Sequence, residues 1–158
     1  MLFLLACAAD PSSLDSESAP ARPETTLWIN EVQPDRDTGG DWVEFFNVGT
    51  DDVTLDGYGL VDETGHTTDL PSSLVVPAGG FVVLACVQAA IATDGTVDVR
   101  LDKDGDELSL ISDAAMDATV LDKVHWGPLS GDTSWARQPD GGVEWVADPT
   151  PTPDAPNE

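Results

Sequence analysis

The sequence predicts an all-β protein built as an antiparallel sandwich or barrel. Three observations carry this expectation. Apolar and aromatic residues fall in short runs of alternating or continuous character. Turn-forming glycine, proline and aspartate separate them. No segment sustains a helical repeat; 87–92 allows a turn at most. Strands of about 4–8 residues bounded by such turns are the pattern of a sandwich or barrel.

The runs are read in order. LWINEV at 27–32 alternates and stops near Pro34, and WVEFFN at 42–47 is aromatic and bounded by Gly40 and Gly49. Runs at 53–55 and 58–61 flank Asp56-Gly57, a strong turn dipeptide. A run at 74–76 leads through Pro77-Ala-Gly-Gly80 to FVVLAC at 81–86, whose continuous apolar character suggests a central strand. Runs at 97–101 and 107–111 flank the acidic stretch at 102–106 and are a candidate hairpin. ATVLDKVHW at 118–126 alternates again, and runs at 134–137 and 143–146 surround Pro139-Asp-Gly-Gly142. Alternation places Leu27 with Ile29, Val43 with Phe45, Val82 with Leu84, Leu108 with Leu110 and Val120 with Val124 on core-facing sides. The folded domain is expected over 27–147, and the Pro-rich tail 148–158 is expected to be extended and exposed.

At 158 residues the chain is long enough for one core-bearing domain. Thirty acidic residues against six Lys and Arg give a formal charge of −24. Such a surface repels phosphate backbones, which excludes nucleic acid as a partner. It suits solubility, cations or a basic partner.

Residues 1–7, MLFLLAC, end in the order of a bacterial lipobox, so Cys7 is the expected site of lipidation. No basic residue precedes Arg22, and the apolar run is shorter than in an ordinary leader. Residues 8–26 are small, polar and Pro-bearing, as a flexible tether would be. The expected place is the bacterial cell envelope, facing periplasm or exterior. Ala8 and Ala9 after the cysteine favour the outer membrane, because inner-membrane retention typically uses Asp there. With Cys7 lipidated, Cys86 is left without a disulfide partner and reads as a buried thiol.

An ordered series of motifs resembles the lamin tail domain family. These are Ile29-Asn-Glu-Val32, Asp41-Trp-Val-Glu-Phe-Phe-Asn47, Val53 to Asp62, and Leu74-Val-Val-Pro-Ala-Gly-Gly-Phe81. Then come Asp106-Glu-Leu-Ser-Leu-Ile111, Val120 to Gly127, Thr133-Ser-Trp-Ala-Arg137 with Pro139-Asp-Gly141, and Thr150-Pro-Thr-Pro-Asp-Ala-Pro-Asn157. The sequence departs at Phe46, where an aliphatic is usual, and at 114–117, where an Asp-Gly turn is commoner. The resemblance implies an immunoglobulin-like β-sandwich used for contact rather than chemistry.

The residues themselves offer little catalysis. Only His66 and His125 are present, and no nucleophile elbow, zinc motif or phosphate-binding glycine run occurs. No cofactor is expected except calcium, for which Asp102, Asp104, Asp106 and Glu107 are the candidate ligands. An ordinary Asp-Gly turn explains the same residues, and their spacing is not that of an EF-hand. Glu31 shares parity with Leu27 and Ile29, so it needs a buried partner, for which Arg137 is the candidate. Trp28, Trp126 and Trp135 are candidate contact aromatics. The sequence therefore reads as a non-catalytic, lipid-anchored binding or display module contacting protein or glycan. A structural envelope spacer with calcium-stabilised acidic loops is the alternative, and a small secreted hydrolase has least support.

Overall fold

The computed structural model describes residues 25–34, 40–87, 95–112 and 118–157. The expectations for Cys7, for the leader and most of the tether, for a turn at 88–92 and for the run 114–117 lie outside the described residues.

The described chain is all β. Twelve strands run β1 (Leu27–Gln33), β2 (Trp42–Asn47), β3 (Val53–Thr54), β4 (Tyr58–Asp62), β5 (Thr67–Asp69) and β6 (Val75–Val76). They continue β7 (Phe81–Cys86), β8 (Thr96–Val97), β9 (Asp106–Ser112), β10 (Thr119–Trp126), β11 (Ser134–Arg137) and β12 (Trp145–Asp148). A six-stranded sheet has the order β12-β11-β1-β2-β7-β8, and a four-stranded sheet the order β10-β9-β4-β5. β3 and β6 form a separate two-stranded ribbon. Every pairing is antiparallel except β7 with β8. The core lies between the two larger sheets: Leu27, Ile29, Val43, Phe45 and Leu84 from one meet Leu60, Leu108, Leu110, Val124 and Trp126 from the other. This is an immunoglobulin-like β-sandwich.

Two bulges decide which side chains face inward. In β1 the register against β2 shifts between Ile29 and Glu31, making Asn30 the extra residue. Ile29 stands opposite Phe45 in the core, whereas Glu31 stands opposite Glu44 on the outer face. In β10 the register shifts between Val120 and Asp122, making Leu121 the extra residue. Asp122 therefore shares a face with Val124 and Trp126, and Val120 turns outward to 45 % exposure. An extra residue reverses side-chain parity beyond it. That is why Val120 departs from the expected core position while its four companion pairs keep theirs, Val82 only half-buried.

Other local expectations change for physical reasons. The apolar run β7 is not central: it lies beside the two-residue β8 at the sheet edge. Its outer face is apolar because Phe81 stacks on Phe46, with ring centroids 4.7 Å apart. The stretches around 102–106 form no hairpin, since β8 joins the six-stranded sheet and β9 the four-stranded one. Asp56-Gly57 turns the chain from the β3–β6 ribbon into β4, with Gly57 at φ 78°. Gly80 packs so closely that a Cβ would lie 3.2 Å from the Pro77 side chain and carbonyl.

The C-terminal tail is extended but not free. It runs across the outer face of the six-stranded sheet, half-burying Pro151, Thr152, Ala155 and Asn157. Beneath it Glu31 and Glu44, which accept hydrogen bonds from the tail, are fully buried.

Candidate functional site

At one end of the sandwich, two loops enclose a cleft of about 370 Å³. One wall is the turn between β4 and β5. The Asp62 carboxylate folds this turn by accepting from the Thr64 N–H (2.9 Å), the Thr64 hydroxyl (2.7 Å) and the His66 N–H (3.0 Å). The second wall is the segment that leaves β8. Val97, Val99 and Leu101 are buried, while Asp98, Arg100 and Asp102 alternate with them and line the cleft. The two-residue period of an extended chain thus presents charge on one side and anchors it on the other. His66 Nε2 joins the walls, 3.1 Å from the Asp98 carbonyl oxygen and 3.6 Å from its carboxylate.

The lining is strongly acidic. Asp62, Glu63, Asp98, Asp102 and Asp106 surround a single arginine, Arg100. A smaller depression of about 260 Å³ continues past Arg100 to Asp41 and Asp104. Low-dielectric walls lined by one sign of charge focus the field into a cleft, so this end of the molecule attracts cationic groups.

Two of the candidate calcium ligands, Asp102 and Asp106, accept hydrogen bonds from the loop's own backbone. Asp102 accepts from the Asp104 N–H at 2.9 Å. Asp106 accepts from the N–H groups of Asp102 and Glu107 at 3.1 and 2.8 Å. Glu107 turns away to pair with Lys123 at 2.6 Å. Among the described residues no three His, Cys, Asp or Glu side chains are grouped to hold a metal. Burial raises the Asp106 carboxyl above its ordinary value, with Asp62 and Asp102 adding repulsion against the bonds from Glu107 and Asp102.

Of the three candidate contact aromatics, Trp126 is corrected outright. It is 1 % exposed, sits in the core and donates its indole N–H to the Asp102 carbonyl at 2.9 Å. This bond fixes the cleft loop to the four-stranded sheet. Trp135 is half-buried and packs against the core. Trp28 is half-buried and lies 5.2 Å from the Arg137 guanidinium, which rests 4.4 Å from Trp145 on another side.

The expected Glu31–Arg137 pair is also corrected. Arg137 pairs with Asp122 through Nη2, at 2.8 and 2.9 Å to the two carboxylate oxygens. Its Nε donates to the Ile29 carbonyl at 2.7 Å, and its Nη1 donates to the Gly142 carbonyl. Asp122 in turn accepts from the Ile29 N–H at 3.0 Å. The β1 bulge is the reason: it turns Glu31 to the outer face, where Ser134 and Thr152 donate to it. Arg137 still ties the first strand to the end of the domain, through backbone rather than through Glu31.

Among the described residues, His125 and Cys86 are the remaining reactive groups. His125 is exposed on β10. Burial pushes the Cys86 thiol well above its ordinary value, with the Asp41 charge adding, which makes it a poor nucleophile.

The fold places the chain in the immunoglobulin-like class of β-sandwich domains. The Lamin Tail Domain family matches residues 20–128, and the chain belongs to that family. The family is one of non-catalytic immunoglobulin-like domains with binding or structural roles. No curated protein matches the sequence. β11, β12 and the tail lie beyond the matched residues, yet they complete the six-stranded sheet and its outer cover.

Proposed function

We propose that the chain is a non-catalytic contact module of the bacterial envelope, held by a lipid on Cys7, whose acidic cleft receives a basic segment of a protein partner. The cleft carries the reading: five carboxylates around one arginine, anchored by alternate buried residues. Protein is favoured over glycan because Trp126 is enclosed in the core and Trp28 and Trp135 are engaged in packing. Sugar-binding platforms need a bare aromatic face.

The test is titration of the full chain with oligolysine and with oligoglutamate, at low and high salt. Oligolysine is expected to bind and oligoglutamate not. The double variant Glu63→Gln, Asp98→Asn is expected to weaken oligolysine binding roughly tenfold, the sum of two partly exposed charge contacts of about 0.7 kcal/mol each. Equal affinity in the variant would move the binding off the cleft, and no binding would end the proposal. Mass spectrometry of Cys7 for a diacyl or triacyl adduct tests the anchor separately.

A further inference from the structure

The outer face of the six-stranded sheet holds an arrangement that the cleft does not use. Glu31 and Glu44 stand directly opposite each other on β1 and β2, both fully buried. What buries them is the tail, which joins no strand ladder. It is held largely through these side chains. The Thr152 N–H lies 3.4 Å from both Glu31 oxygens, and its hydroxyl lies 3.4 Å from Oε2. The Asp154 N–H donates to Glu44 Oε2 at 2.7 Å. Further along, Asn157 donates its N–H to Asp140 and its side-chain amide to the Arg137 carbonyl, at 3.1 and 2.8 Å. Inside the segment, the Thr152 hydroxyl donates to Asn157 Oδ1 at 2.7 Å.

Among the described residues, the groups that face the two carboxyls carry no positive charge. Glu44 is faced by Asn30 and Glu31 from β1, by Asp140 from the β11–β12 turn, and by Asp154 from the tail. Its neighbour on β7 is Val83. Glu31 is faced by Ser134 from β11, Asp148 from β12 and Thr152 from the tail. None of these groups is cationic. Two carboxylates side by side away from water cannot both ionise without large cost.

We propose that residues 150–157 form a proton-operated strap, closed over the sheet while the Glu31–Glu44 pair holds a proton and released as the pair ionises. Burial, with Glu31 and Asp140 adding repulsion, pushes the Glu44 carboxyl up to about 8, against the bonds from Asn30 and Asp154 that favour its charge. Burial also raises Glu31, and the Asp148 charge adds to it. Ionisation strengthens the strap's N–H bonds, but lost hydration is the larger effect. Lifting the strap restores water to both carboxylates without breaking a strand pairing. The open state titrates near the ordinary carboxyl value. Linkage then makes opening easier by up to about tenfold per pH unit between those two values. Opening uncovers Glu31 and Glu44, the two carboxyls that the strap bonds.

Hydrogen exchange on the full chain tests this, read residue by residue from pH 5 to 8 and corrected for intrinsic rates. Protection at Thr152, Asp154 and Asn157 is expected to fall by up to about tenfold per pH unit. Amides of β4 and β9 are expected to stay more protected than the strap at every pH. Glu44→Gln is expected to flatten the strap's dependence, and Glu31→Gln to reduce it. Strap protection independent of pH in the unaltered chain overturns the proposal, whether or not the variants fold. So does equal protection of the strap and the core strands throughout that range, which would mean that the strap opens only by global unfolding.

Discussion

At the residue scale, Arg137 is the side chain on which most converges. It is 2 % exposed and serves Asp122 together with the carbonyls of Ile29 and Gly142. Neither Ile29 backbone group is taken by β11, whose pairing with β1 covers Glu31 and Val32. Removing one partner of such a cluster leaves a buried charge unpaired, which costs about 3–5 kcal/mol. Arg137→Met is therefore expected to lower stability to denaturant by that amount, and an unchanged midpoint would refute the role. Adding Asp122→Asn to it is expected to recover part of the loss. The sequence made Arg137 legible as a tie between the first strand and the last part of the domain. It concealed Asp122, because the bulge that turns it inward has no local signature. A second residue-scale effect sits in the strap. Asp154 adopts φ 62°, a left-handed conformation that β-branched side chains resist. Asp154→Val is expected to destabilise the strap by about 1–2 kcal/mol, read as lost exchange protection at Thr152 and Asn157.

At the element scale, the order of the longer runs and most core faces could be read directly, because alternation reports burial wherever a strand is regular. β5, polar and three residues long, gave no such signal, and the run at 97–101 pairs only at its start, in β8. Alternation failed at β1 and β10 for a shared reason. One extra residue, Asn30 or Leu121, reverses the faces beyond it. The consequence is testable within β10. Val120→Asp is expected to change stability by less than about 0.5 kcal/mol, as surface changes do. Val124→Asp is expected to cost more than about 3 kcal/mol, by burying an unpaired carboxylate. Equal effects of the two in urea unfolding would refute the assigned register. The cleft was not legible. The run at 97–101 suggests a hairpin arm, whereas the chain crosses there between sheets. That crossing depends on Trp126 reaching the Asp102 carbonyl, 24 residues away in sequence. The tail misled because its composition lacks apolar periodicity. It docks through backbone N–H groups and small polar side chains, which composition does not report.

For the whole molecule, the carboxyl groups with a resolved shift, Glu31, Glu44 and Asp106, are all raised by burial. The folded state therefore holds more protons than the unfolded chain above the ordinary carboxyl range. Where the native state binds the excess protons, stability falls as pH rises. The melting temperature is expected to be higher at pH 5 than at pH 8. Glu44 alone accounts for a few kcal/mol, since its carboxyl moves from 4.5 to about 8. The −24 formal charge acts in the same direction as acidic groups ionise. Glu44→Gln is expected to remove the larger share of the slope. A melting temperature that rises from pH 5 to pH 8 would contradict the placement of these groups.

The position of β1 has a consequence for the order of assembly. Among the described strands it comes first, yet one of its two neighbours is β11, about a hundred residues later. During synthesis β1 therefore keeps one edge unpaired until β11 has been made. Contacts between such distant parts of a chain form slowly. The six-stranded sheet is completed late, when β11 reaches β1.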